Sequence, residues 1–113
     1  DQIVVVFTDG QENASTSWTR HALFELIEAK KAEGWTFVFM GANQDSYATG
    51  GDLGIDRGNT QNYRGDGIGT RTVWNNLSQS VFEYRRSGYD EKQRRKADFF
   101  DGMKDAEADD LNR

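Results

Sequence analysis

The segment that most limits what this chain can become is its first. Ile3, Val4, Val5, Val6 and Phe7 follow one another without a polar interruption and are closed by Thr8, Asp9 and Gly10. An unbroken run of β-branched and aromatic residues reads as a strand covered on both faces, the pattern of parallel sheets. A second apolar run opens at Trp35 and ends at Met40, again followed by a glycine, Gly41, and then by a polar corner of Asn43, Gln44, Asp45 and Ser46. Between the two runs Trp18, Ala22, Leu26 and Ile27 recur at helical spacing, with Ser17 or Thr19 as N-cap and Gly34 as stop.

Further along, residues 46–53 read as a short helix stopped by Gly54, and Ile55 followed by residues 59–63 as a third, poorer strand. Gly65, Gly67 and Gly69 read as a loop, after which Val73, Trp74, Leu77, Val81 and Tyr84 make a helical stripe reaching about Arg86. Strand and helix thus alternate with short connections, which predicts an α/β fold: a doubly wound, mostly parallel sheet with helices on both faces. That unit covers residues 1–87. From Gly88 onward the chain is mostly charged, with Phe99, Phe100 and Met103 as its large apolar cluster, so residues 88–113 read as a solvated helical or flexible tail.

At 113 residues the chain holds one small domain. It has no cysteine, which removes disulfides, thiolate metal sites and cysteine nucleophiles from consideration. No stretch nears the roughly 20 apolar residues that span a bilayer, and no basic and apolar leader opens the chain, so the expected location is cytoplasmic. A net charge of −5 argues against a phosphate backbone as main partner, so neither nucleic acid nor membrane is expected.

In open parallel sheets ligands sit beyond the carboxyl ends of the strands, where helix N-termini converge. Asp9 ends the first strand, and Asn43 and Asp45 follow the second, so oxygen donors suited to a hard cation fall on one rim. Residues 3–10, Ile-Val-Val-Val-Phe-Thr-Asp-Gly, resemble the strand of von Willebrand factor type A domains that ends in Thr-Asp-Gly. Gln11, Glu12, Asn13, Ala14 and Ser15, with the later Gly-Ala-Asn-Gln-Asp corner, resemble a bacterial and phage-like branch of that family. The resemblance covers residues 1 to about 87 and implies the C-terminal half of a Rossmann-like fold. It also implies that Asp9 belongs to a metal-ion-dependent adhesion site for Mg²⁺ or Mn²⁺. The family's other ligands, an Asp-x-Ser-x-Ser motif and a threonine on a later loop, have no counterpart here.

The resemblance further implies that a missing strand lies beside the Thr-Asp-Gly strand. Without it the backbone of Ile3, Val4, Val5, Val6 and Phe7 forms an apolar edge of the kind proteins cover. A partner is therefore expected there: the missing N-terminal half, a second copy or a larger assembly. The leading reading is a non-enzymatic protein-binding module with Asp9 on the metal and Gly10, Gln11, Glu12, Asn13, Asn43, Gln44 and Asp45 shaping the rim. One alternative is a Mg²⁺-dependent hydrolase or phosphoryl-transfer domain in which Asp9 and Asp45 hold the ion. Another is an assembly subunit with no working metal site.

Other constellations carry less. His21, the single histidine, reads as a helix-surface residue, since no serine or cysteine stands in a nucleophile turn. The three glycines lack the Gly-Lys-Ser/Thr ending of a phosphate loop, and Arg64-Gly65-Asp66 reads as a turn. Trp18, Trp35 and Trp74 read as core.

Overall fold

The computed structural model of the chain describes residues 2–8, 20–42 and 45–113, with the side chain of Arg20 left out. It is an α/β fold, with three parallel strands in the order β1-β2-β3 and five helices among the described residues. The strands are β1 (Ile3–Thr8), β2 (Thr36–Ala42) and β3 (Thr60–Tyr63). The helices are α1 (Arg20–Ala32), α2 (Ser46–Asp52), α3 (Gly67–Arg86), α4 (Tyr89–Arg95) and α5 (Lys104–Leu111). Among these residues no helix is long and apolar enough to cross a membrane.

The two apolar runs pair as expected, with Ile3 beside Thr36 and Thr8 beside Gly41. Every residue of β2 is buried, because it has a strand on either side and helices above and below. β1 departs from the reading of a strand covered on both faces. Its residues are only partly buried and Phe7 is 43% exposed, since β1 is the outer strand and nothing among the described residues flanks it.

Side chains of a strand alternate between faces, and the core divides accordingly. Val38, Met40 and Ala42 join Val73, Leu77 and Tyr84 of α3 on one face. Phe37 and Phe39 join Ile27 of α1 with Leu53 and Ile55 on the other. Ile55 was expected to lead the third strand. It packs instead in this second cluster, ahead of a 3₁₀ turn at Arg57–Asn59 that feeds β3.

Two further expectations fail for physical reasons. The glycine-rich stretch is not all loop: α3 starts at Gly67, capped by the Asp66 carboxylate, which accepts the Gly69 N–H at 2.7 Å. Gly69 is required there by space, since a Cβ would lie 2.0 Å from the Arg64 carbonyl oxygen. The segment after Gly88 is partly helical and its helix α4 has no buried residue, but two residues of the segment enter the core. Phe99 and Phe100 are both 0% exposed within the α3-side core, and Met103 packs against it. Buried Asn59 fixes the approach: its amide donates to the carbonyls of Phe37 and Lys96, and its oxygen accepts the Phe99 N–H at 2.7 Å.

If residues 96–103 belong to the same cooperative unit as the sheet, Phe99→Ala costs about 3–5 kcal/mol. Denaturant titration checks this. A loss under about 1 kcal/mol, the size of an ordinary surface substitution, would detach the segment from the fold.

Candidate functional site

Parallel pairing brings the carboxyl ends of the strands to one rim, with Thr8 beside Gly41 and Ala42 beside Tyr63. The Tyr63 hydroxyl donates to the Thr8 carbonyl at 3.3 Å, and Phe7 stacks on Tyr63 and on Trp74 at centroid distances of 5.5 and 5.3 Å. Trp74, expected in the core, is 42% exposed because it lies over this outer strand rather than the sheet centre. Trp35 is partly buried, with Lys30 over its ring, and Trp18 lies outside the described residues.

Of the predicted rim residues, Asp9, Gly10, Gln11, Glu12, Asn13, Asn43 and Gln44 lie outside the described residues. Asp45 is described, and its carboxylate is engaged: it caps α2, accepting the Ala48 N–H at 3.2 Å. Next to it Ser46 ties the corner to two strands, its N–H donating to Asn62 Oδ1 at 3.0 Å and its hydroxyl to the Gly41 carbonyl at 3.1 Å.

The corner after β3 repeats this use of aspartate. Asp66 caps α3 and accepts Arg113 Nη2 at 2.9 Å, while Arg64 donates to the Arg113 carbonyl at 2.6 Å. Arg64 and Asp66 are thus bonded within the fold, although residues 64–66 are all exposed. Asp45 and Asp66 each lead directly into a helix and serve as its cap. Asp9 follows Thr8 at once in the sequence and lies outside the described residues. Among the described residues no three acidic, histidine or cysteine side chains gather closely enough to hold a metal. His21 is on the helix surface, 3.0 Å from Glu25.

Sequence reasoning missed a second polar site, at the outer edge of β3. Glu107, only 7% exposed, accepts the Tyr47 hydroxyl through both oxygens and the Asn62 N–H through Oε2 at 2.6 Å. Asp110, 4% exposed, accepts the Arg64 N–H at 2.9 Å, and Lys104 donates to the Thr60 carbonyl at 2.7 Å. Burial, then the hydrogen bond and charge of Glu107, hold the Tyr47 phenol well above its usual range. Burial pulls the Lys104 ammonium down, against the opposing pull of Glu107. The signal in the sequence was the spacing of Lys104, Glu107 and Asp110, three apart and so on one helix face.

An open cleft of about 460 Å³ lies at the other end of the sheet, among Gln2, Glu33, Trp35, Tyr89, Gln93 and Lys96. Its cation is already bonded, to the Gly34 carbonyl.

The hydrogen bond from Arg113, then that from the Gly69 N–H, lower the Asp66 pKa from 3.8 to about 2. A depressed folded value means that the stabilisation is complete above 3.8 and is lost as pH falls toward about 2. Carboxyl NMR titration should place the Asp66 midpoint near about 2 in the wild type and return it toward 3.8 in Arg113→Ala. An unchanged midpoint in the variant would contradict this assignment. Family models, characterised proteins and solved structures were all compared with this chain, and none matches it.

Proposed function

We propose that this chain is a protein-interaction module whose sheet is extended beside β1 by a strand from the other half of a doubly wound, Rossmann-like fold. In this reading a divalent cation, Mg²⁺ or Mn²⁺, held in part by Asp9 at the carboxyl rim, takes an acidic group of a protein partner. The observation that carries the proposal is the unequal treatment of the two sheet edges. The Thr36 N–H donates to the Gln2 carbonyl, so Gln2, Val4 and Val6 turn their backbone groups toward β2, while Ile3, Val5 and Phe7 turn theirs outward. The outer groups of β3, by contrast, are met by α5.

Half-exposed Phe7 and Trp74 stack beside the open edge and add apolar area for an incoming strand. The case for the cation rests on Asp9 following the last residue of β1 in the sequence and on the Thr-Asp-Gly resemblance. The ligands that the resemblance implies beyond Asp9 have no counterpart in this sequence, so in this reading further oxygen donors come with the added segment. When bound, the ion would act as a Lewis acid toward a carboxylate; the chain's own part in this reading is the carboxylate of Asp9. The hydrolase alternative is weaker, because the Asp45 carboxylate it needs beside Asp9 caps α2. An assembly subunit without metal is the second reading, favoured by the same engagement of Asp45 and Asp66 as caps.

Calorimetric titration with Mg²⁺ and Mn²⁺ separates these readings. Binding that requires both the completing segment and Asp9, and is lost in Asp9→Ala, is the expected result. A folded, complexed chain that takes up neither ion would leave only the assembly reading. For the edge itself, Val5→Pro removes an outward N–H and leaves the β1–β2 ladder whole. It should weaken association with the completing segment by about tenfold or more, on the order of one hydrogen bond. Val4→Pro, which removes a ladder bond, should instead unfold the sheet more readily. Equal association of Val5→Pro and wild type would refute strand addition.

A further inference from the structure

Helix α5, with sequence KDAEADDL, has hardly any apolar face, yet Glu107 and Asp110 are nearly inaccessible on it. A buried carboxylate is costly unless it is hydrogen-bonded, and here the bonds go to one place. Lys104, Glu107 and Asp110 meet Thr60 O, Asn62 N and Arg64 N, at 2.7, 2.6 and 2.9 Å. Thr60 and Asn62 alternate along β3 and Arg64 follows its last residue, so all three point away from β2, as the backbone of a further strand would require. Steps of three on a helix advance about 4.5 Å and steps of two on a strand about 6.6 Å, a difference that flexible side chains span.

We propose that α5 is an edge guard, standing in for a fourth strand with side chains, and that it bars β3 from pairing with a second copy of this chain. Thr60, Gln61, Asn62 and Tyr63 carry no charge that would itself oppose self-pairing, and lysine at an edge is a known form of protection. A second copy is the occupant because β3 meets its like in antiparallel register across a two-fold axis, the simplest closed arrangement. Tyr47 reinforces the guard: it receives Lys104 at 2.7 Å and holds both Glu107 oxygens.

The test uses the full chain, with the masses of wild type, Glu107→Ala/Asp110→Ala and Glu107→Gln/Asp110→Asn followed over concentration by sedimentation. The amide exchange of Asn62 and Arg64 is read in parallel. The alanine pair should expose both amides when dilute, and should self-associate beyond wild type with recovery of protection when concentrated. Adding Arg64→Pro, which deletes an outward donor, should reverse that association. The amide pair keeps acceptor oxygens and should behave as wild type. A folded alanine pair with unaltered mass and exchange overturns the proposal, as does association that Arg64→Pro leaves untouched. If the alanine pair fails to fold, Glu107→Ala alone decides: exchange should quicken at Asn62 and not at Arg64, and any other pattern overturns it.

Discussion

Backbone hydrogen bonding at the margins of a three-stranded parallel sheet is the constraint on which the rest of this structure depends. An unpaired N–H or C=O at a buried edge costs on the order of 1–3 kcal/mol, and a sheet this narrow has two edges for one interior strand. β2 resolves its own groups by lying between two neighbours, and its complete burial follows. β3 resolves them with charged side chains from α5. β1, the most apolar of the three in sequence, turns Ile3, Val5 and Phe7 outward with no strand beside them among the described residues.

This constraint explains why a strongly charged C-terminal segment belongs to the fold. Phe99 and Phe100 anchor it in the core, and Asn59 ties it to β2 through hydrogen bonds at both ends of its amide. Anchored there, the chain returns along β3 and delivers Lys104, Glu107 and Asp110 to the strand edge. Charge in this segment is thus partly a substitute for backbone pairing, and Arg113 continues the pattern by closing on Asp66 and Asp110.

How much was legible follows from the same physics. The strands β1 and β2 were readable as unbroken apolar runs, the Val73, Leu77, Tyr84 stripe as helical periodicity imposed by burial, and the end of α2 from its glycine. Gly54 at φ +82° is where α2 was expected to stop. The start of α3 was missed because glycines suggest a loop, whereas the Asp66 cap and the tight approach of Arg64 select glycine at position 69. The guard was missed because periodicity arguments look for apolar faces, and the inner face of α5 is Lys104, Glu107 and Asp110. At the rim, Asp45 was grouped with Asp9 by its place after a strand; Asp45 caps α2, and Asp9 lies outside the described residues.

The proposed function joins a β1 edge that no described strand covers to an aspartate that directly follows that strand in the sequence. Residue-resolved amide exchange along β1 tests its central claim most directly. With the chain alone, exchange should alternate, fast at Ile3, Val5 and Phe7 and slow at Val4 and Val6; it should become slow throughout once a completing segment binds. Uniformly slow exchange in the dilute, isolated chain would mean that the edge is already covered, and would contradict the account.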